Sequence, residues 1–384
     1  MSTYLIVNGI GDTVVSFRGP LAAALVARGH RVVVSTPRPV EIEPRAVERA
    51  LGELGAECVF SPLDRTGLNP LRERAAARHY RALCERVAPA GVFVSNPKPV
   101  FHAIPAARAA GVPKRVAMIT GLGYAFIGRG AKAAILRRVA IALYRRALAQ
   151  ATTVLFQNGD DLAYFEGAGL LAPGVPVART GGSGVDLARF PERPVPEGAP
   201  VFLMVARLLG DKGVREFAEA ARIVRAARPS CRFRLVGWID SNPAAIARAE
   251  LDGWIADGRL EWAGRLDDVR GELAAASVFV LPSYREGTPK STLEALATGR
   301  AIVTTDAPGC RETVREVDAP APIGRGPNGL VVPVRDARAL ADACLALADD
   351  PARVAAMGAR SRHLAERVFD ASLVNATIVE ALGA

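Results

Sequence analysis

Two glutamates, Glu286 and Glu294, stand eight residues apart in the run Leu281-Pro282-Ser283-Tyr284-Arg285-Glu286-Gly287-Thr288-Pro289-Lys290-Ser291-Thr292-Leu293-Glu294. An apolar stretch, Ser277 to Leu281, precedes them, and a helical pattern carried by Leu293, Ala295, Leu296 and Ala297 follows. This order predicts a strand, a loop holding Glu286, and a helix with Glu294 in its second turn. In open α/β sheets the crevice at that strand end binds ligands. Thr288 reads as the helix N-cap and Pro289 as the first helical residue. The amides near Lys290, Ser291 and Thr292 would then face an anion, for which a diphosphate is a natural candidate. Carboxylates repel such an anion, so the two glutamates suit sugar hydroxyls on either side of it. A cationic pair joins them: after the strand-like Val201–Val205 comes Ala206-Arg207-Leu208-Leu209-Gly210-Asp211-Lys212-Gly213, then a helix. Arg207 offers a planar fork and Lys212 a point charge. By itself such a pair is common on solvated surfaces. Combined with the glutamate run, it describes an anionic ligand that carries hydroxyls.

The elements that must position these residues recur along the whole chain of 384 residues, half of them hydrophobic. Strand-like runs fall at Thr3–Asn8, Arg31–Thr36, Glu57–Phe60, Val92–Ser95, Arg115–Ile119 and Thr153–Gln157. They resume at Val201–Val205, Phe233–Val236, Leu260–Trp262, Val278–Leu281, Ala301–Thr304 and Leu330–Val332. Helical patterns fill the gaps, the first from Phe17 to Ala27, which predicts α/β units with parallel sheets. The length predicts two domains, and the proline-rich Phe190–Pro200 reads as a stiff linker between them. The five cysteines are scattered with no Cys-x-x-Cys, as in reduced cytoplasmic proteins. The four histidines lack metal-ligand spacing, so no metal site is expected. No apolar stretch reaches the ~20 residues that span a bilayer. Met1 leads directly into the first strand without a basic leader, so no signal peptide is expected.

Charge is one-sided. The net formal charge is +10. Residues 1–190 hold 24 Lys/Arg and 13 Asp/Glu (+11), and the remainder 25 and 26 (−1). Between Glu85 and Asp160 there is no acidic residue and there are eleven basic ones. This implies an anionic partner for the first half. An aromatic content of 6% and the lack of a recognised motif argue against nucleic acid. Arg129–Arg146 reads as an amphipathic helix, with Ile135, Leu136, Val139, Leu143 and Tyr144 as the stripe and Lys132, Arg137, Arg138, Arg145 and Arg146 around it. It suits an anionic membrane surface, or a core-packed helix with a solvated basic face.

Arg207…Lys212 and Pro-Ser…Glu286-x7-Glu294 occur with Gly182-Ser183-Gly184-Val185-Asp186, Pro308-Gly309-Cys310-Arg311-Glu312 and Asn328-Gly329-Leu330-Val331-Val332-Pro333. Together they resemble the retaining nucleotide-sugar glycosyltransferases of family four over essentially the whole chain. Gly121-Leu122-Gly123-Tyr124 and Ser283-Tyr284-Arg285-Glu286-Gly287 are similar to bacterial enzymes that build polyprenyl-diphosphate-linked oligosaccharides, several of which use UDP-N-acetylhexosamines. The resemblance implies an α/β GT-B fold: two Rossmann-like, doubly wound parallel-sheet domains with an interdomain cleft. Residues 1–186 would form a membrane-facing, acceptor-binding domain and 187–368 a nucleotide-sugar-binding domain. A helix at 369–384 would pack back on the first.

The resemblance also implies roles. Arg207 and Lys212 would bind the donor diphosphate and steady the leaving group, and Glu286 would hold the transferred sugar. These three form the catalytic set. Glu294 would accept from the ribose, with Arg265, Leu266 and Val269 framing the uracil. Gly287, Thr288, Pro289 and Lys290 would complete the donor side. Gly9 and Gly11 would allow close backbone approach of substrate. Apart from the resemblance, Arg18, in the loop after the first strand, reads either as meeting acceptor phosphate or as a surface arginine, and Thr120 and Gly121 could supply hydroxyl and amide contacts on the acceptor side. No cofactor or metal is required, because the leaving phosphate can itself help deprotonate the acceptor. Many relatives carry a histidine near the end of the fifth strand. Here Met118-Ile119-Thr120 stands there, and His102 reads as structural. The implied activity is transfer from a UDP-sugar to a polyprenyl-diphosphate-linked glycan, at the cytoplasmic face of the cell membrane as a peripheral protein. Transfer to a soluble acceptor, or non-catalytic nucleotide binding near a membrane, are the alternatives.

Overall fold

A computed structural model describes residues 1–64, 67, 69–122, 126, 130–240, 242, 244–316 and 323–384, the side chain of Lys132 excepted. Gly123, Tyr124 and Arg129 lie outside the described residues. The chain divides into two compact units, Met1–Ser183 with Ala371–Ala384, and Gly184–Asp370.

The first unit holds a seven-stranded parallel sheet in the order β3-β2-β1-β4-β5-β6-β7. Its strands are β1 (Thr3–Val7), β2 (Arg31–Pro37), β3 (Ala56–Ser61), β4 (Gly91–Ser95), β5 (Lys114–Ile119), β6 (Thr153–Phe156) and β7 (Val177–Arg179). Alternate residues leave a strand on opposite faces, and here both faces are covered. Leu5, Val7, Val92, Val94 and Ile119 pack among helices Pro70–Val87, Pro97–Ala109 and Ala131–Leu148. Tyr4, Ile6, Phe93, Val116 and Met118 pack with helix Val14–Ala27 and the last helix, Ala371–Leu382.

The second unit repeats the plan in the order β10-β9-β8-β11-β12-β14-β13. Its strands are β8 (Val201–Val205), β9 (Arg232–Val236), β10 (Glu261–Trp262), β11 (Val278–Leu281), β12 (Ala301–Thr305), β13 (Gly324–Gly326) and β14 (Gly329–Val332). All pairings are parallel except β13 on β14.

The chain crosses between units at 183/184 and 370/371, where an expected boundary lay at 186/187 and a return at 368/369. Within the second unit Val185 bridges Asp370, with the Val185 amide donating to the Phe369 carbonyl at 2.7 Å. Both crossings are therefore anchored side by side. The proline-rich Phe190–Pro200 is not the linker expected from its composition. Arg300, fully buried, donates to the carbonyls of Arg193, Pro194, Ala276 and Thr298. The Arg193 amide in turn donates to the Thr298 carbonyl at 3.1 Å. A guanidinium with five donors ties this segment into the second unit.

The amphipathic helix also differs from its expected stripe. Ala133, Ala140, Tyr144, Ala147 and Leu148 form the buried face, while Ile135 and Val139 are 61% and 50% exposed. The reason is steric. Alanines let the helix approach closely, and the Tyr144 ring meets Phe101 and Phe165 edge-on at 4.7 and 4.9 Å.

Replacing Arg300 with methionine keeps the volume but strips buried carbonyls of their donor. A loss of roughly 2–4 kcal/mol is expected, read as a lower urea midpoint. An unchanged midpoint would contradict the role given to Arg300.

Candidate active site

In each sheet the strand order reverses beside the first strand, at β1/β4 and at β8/β11. Loops leaving such neighbours diverge and open a crevice at the carboxyl edge. In the second unit Lys212 follows β8 in the turn Gly210–Lys212, and Glu286 follows β11. Their side chains meet across the reversal, Nζ to Oε1 at 2.5 Å, with 17% and 14% exposure. Arg207, also beyond β8, pairs with Asp240 beyond β9, Nη1 to Oδ2 at 2.8 Å. The second Asp240 oxygen accepts the Asn242 amide at 2.8 Å. The two cations and Glu286 read from the sequence thus share one strand edge. Sequence reasoning missed Asp240, although an acid shortly after a strand is a signal that could have found it.

Two glycines permit this geometry. Gly213 has φ +74°, and a Cβ there would lie 2.2 Å from the Pro282 carbonyl oxygen. Gly309 has φ +77°, and a Cβ would lie 2.4 Å from the carbonyl oxygens of Glu286 and Gly287. Only glycine accepts both the backbone angle and the contact. The Glu286 loop is held further by its own amide, which donates to the Pro308 carbonyl at 2.9 Å. Tyr284 pins it to the Lys212 turn: its amide donates to the Asp211 carbonyl at 2.9 Å and its hydroxyl to Glu216 at 2.6 Å. The Arg335 guanidinium covers the Tyr284 ring at 4.5 Å. No spacing signal marked Glu216 or Arg335.

Glu294 lies in helix Lys290–Ala297, in its second turn. Burial pushes its carboxyl up to about 7, against the opposing charges of Lys290 and Arg189 and with a contribution from Asp268. Among the described residues no donor hydrogen-bonds this carboxyl. The helix start differs from expectation. Pro289 is the N-cap and Lys290 the first helical residue, while the Thr288 hydroxyl donates to the Gly287 carbonyl. The missing N–H makes proline tolerable there. The Thr292 amide is already taken by the Pro289 carbonyl at 3.1 Å, so it is not free for an anion. Thr288 and Pro289 are buried, Gly287 partly so, and the Lys290 Nζ donates to the Gly184 carbonyl at 2.7 Å. Arg265 and Leu266 are exposed and Val269 partly so, with the Arg265 guanidinium 4.9 Å from the Trp238 ring centroid.

In the first unit the Gly9 amide donates to Asn96 Oδ1 at 3.0 Å, and Asn96 Nδ2 donates to Thr120 Oγ1 at 3.1 Å. One side chain thus joins the Gly9 turn to the Thr120–Gly121 turn across the reversal. The space beside Gly11 is filled by the Pro37 carbonyl and beside Gly9 by Asn96 and Pro99, so packing within the protein already accounts for both glycines. Arg18 requires correction. It sits in helix Val14–Ala27, not in a loop, and is 2% exposed. Its guanidinium donates to Ser95 Oγ at 3.2 Å and lies 5.0 Å over the Phe93 ring. Burial without a compensating carboxylate pulls its pKa down to about 10. Buried there, it braces the strand ends. His102 contacts Glu73 at 2.6 Å, which also holds Lys98 at 2.7 Å.

Two doubly wound units with cations and acids gathered at one strand edge define a class. Residues 10–158 match the glycosyl transferase 4-like family and residues 199–350 the glycosyl transferases group 1 family. The chain belongs to the family-four glycosyltransferases of GT-B fold. It is 29% identical over 317 residues to an N,N'-diacetylbacillosaminyl-diphospho-undecaprenol alpha-1,3-N-acetylgalactosaminyltransferase of Campylobacter jejuni, covering 79% of this chain and 80% of that one. It is 34% identical over 205 residues to a D-inositol 3-phosphate glycosyltransferase of Kineococcus radiotolerans, covering 48% of this chain and 46% of the relative. The chain thus matches about half the length of the second relative. Among solved structures, Anabaena HepE in complex with UDP and glucose superposes with TM-score 0.77 at 16% identity, each chain covered in full. Sucrose-phosphate synthase from Thermosynechococcus elongatus gives 0.76 at 19%, covering 99% of this chain and 98% of the other. These two share the fold.

The Glu294 shift has a consequence for stability. An unfolded glutamate titrates near 4.5 and the folded one near 7. Its contribution is fully present below the lower value and is lost as pH rises through the upper one. Between about pH 5 and pH 8 the protein is expected to lose stability relative to Glu294→Gln. Parallel melting curves for the two proteins across that range would refute this.

Proposed function

We propose that this chain is a retaining glycosyltransferase that moves an N-acetylhexosamine, GalNAc or GlcNAc, from UDP to a polyprenyl-diphosphate-linked glycan. The reading is carried by one observation. Among the described residues no donor hydrogen-bonds the desolvated Glu294 carboxyl, which lies in the helix that follows the Glu286 loop, and at the neighbouring strand edge two cations are each held by a carboxylate. Such an edge is complete once a diphosphate meets the cations and hydroxyls meet the carboxyls.

In this reading Arg207 and Lys212 take the donor diphosphate. Breaking the sugar–phosphate bond leaves negative charge on that diphosphate, and preorganised cations lower the barrier by stabilising it. Glu286 holds hydroxyls of the sugar as positive charge develops on it, and Glu294 accepts from the ribose. Arg265, Leu266 and Val269 flank the base, with Gly287, Thr288, Pro289 and Lys290 shaping the donor loop. The acceptor lies on the first unit, along the Gly9–Gly11 and Thr120–Gly121 turns. The departing phosphate oxygen receives the acceptor proton on the face where the new bond forms, so the chemistry needs no cofactor or metal. The lipid-linked acceptor is supported by the Campylobacter relative, whose name gives it an undecaprenol-linked substrate.

Contact with the cytoplasmic face of a membrane belongs to the same reading. Among the described residues no helix is long and apolar enough to cross a membrane. Helix Ala131–Leu148 presents Ile135 and Val139 on one exposed arc with Arg138, Arg145 and Arg146, as a helix lying in an anionic interface requires. A soluble acceptor is the alternative, and it shares every feature of the second unit. A site that binds nucleotide without catalysis is the other.

A donor screen tests the activity, reading nucleotide release from UDP-, GDP- and ADP-sugars with and without a lipid-diphosphate-linked N-acetyl sugar. Acceptor-dependent UDP release is expected from one N-acetylhexosamine donor. Release driven only by soluble acceptors would replace the lipid-linked reading, and UDP binding with no release from any donor would favour the non-catalytic one. Arg138→Glu with Arg146→Glu should reduce co-sedimentation with phosphatidylglycerol vesicles several-fold, at an unchanged melting temperature. Undiminished co-sedimentation would remove the membrane surface from this reading.

A further inference from the structure

The donor reading leaves a conflict at Lys212. The cation needed for a diphosphate is already engaged by Glu286, and both side chains are largely withdrawn from water. The ammonium has donors to spare, but a diphosphate drawn to Lys212 would sit beside the Glu286 carboxylate, and the repulsion of the two anions favours displacing that carboxylate. Glu286 then stands as a poorly hydrated charge without its partner, which is costly. The loop cannot carry it out to solvent, because its backbone is fixed by the Pro308 carbonyl and by the close approach of Gly309.

We propose that the Lys212–Glu286 pair makes the site discriminate between a nucleoside diphosphate that carries a sugar and one that does not. This rests on the donor reading above. Hydroxyls of an attached sugar donate to the displaced Glu286 and cancel the cost, whereas a bare diphosphate leaves it unmet. Donor is therefore held in preference to UDP. After the sugar has been transferred, Glu286 recaptures Lys212 and drives UDP off.

Asp240 supplies the contrast. It too neutralises a cation, Arg207, but its second oxygen keeps the Asn242 amide when Arg207 turns to a phosphate. Its partner loss is cushioned whether or not a sugar is present. Asp240 therefore lowers the affinity for both ligands alike and does not discriminate between them.

Titration calorimetry with UDP and with UDP-N-acetylgalactosamine and UDP-N-acetylglucosamine tests this on the full chain without relying on turnover. The unsubstituted protein is expected to bind at least one UDP-sugar about tenfold more tightly than UDP. Glu286→Gln should bind UDP about tenfold more tightly than the unsubstituted protein, with the preference for the sugar form collapsing. Glu286→Ser, which frees Lys212 with a smaller side chain, should behave likewise should the glutamine variant fold poorly. Asp240→Asn should tighten both ligands by a similar factor and preserve their ratio. UDP affinity unchanged or weakened in folded Glu286 variants would overturn this inference and leave the donor reading standing. Failure of the unsubstituted protein to bind UDP and both UDP-sugars would overturn both.

Discussion

The reversal of strand order beside the first strand of each sheet is the constraint on which the rest depends. A parallel sheet is built by crossovers of one hand, so adjacent strands whose crossovers run in opposite directions send their loops apart. The β8/β11 reversal creates the space in which the Lys212 and Glu286 loops face each other. Residues 74 positions apart in the chain become an ion pair because the sheet leaves them nowhere else to meet. The β1/β4 reversal does the same for the Gly9 and Asn96 turns.

Charge in the second unit is managed by local neutralisation. Each of the two cations at the strand edge has a carboxylate within hydrogen-bond distance. The cations are thus already paired, and in the proposed reading a diphosphate would exchange with carboxylates already in place. Such exchange costs less reorganisation than assembling a cationic pocket from solvent, and it ties affinity to what happens to the displaced carboxylate. Arg18 and Arg300 follow another rule. Among the described residues both are buried without a carboxylate partner and donate to hydroxyl, thioether or carbonyl acceptors, and burial lowers their pKa values. They act as multidentate ties between distant segments.

Much of the fold was legible in the sequence because its signals are local. Runs such as Tyr4–Val7 and Val278–Leu281 announce buried parallel strands by their continuous apolar, β-branched character, and the structure places strands there. Strands β7 and β13, of three residues each, were not legible. One is Val-Ala-Arg at a sheet edge and the other Gly-Arg-Gly, and neither carries an apolar run. The proline-rich Phe190–Pro200 misled for the converse reason, since composition reports chain stiffness but not the buried arginine that holds the segment. The helix at Ala131–Leu148 has the expected length, but its buried arc is turned away from Ile135 and Val139 because aromatic contacts at Tyr144 decide its rotation.

The sequence by itself determined the two α/β units, the strand–loop–helix frames around Arg207, Lys212, Glu286 and Glu294, and the family to which they belong. Periodicity, turn residues and short spacings act within a few residues and need no partner. Only the tertiary structure decided which charges neutralise one another, that Arg18 is buried under strand ends, that Pro289 and not Thr288 caps the helix, and that Tyr284 with Glu216 and Arg335 sets the height of the Glu286 loop. Those outcomes depend on distance and desolvation between segments far apart in the chain, and both quantities exist only once the sheets have formed.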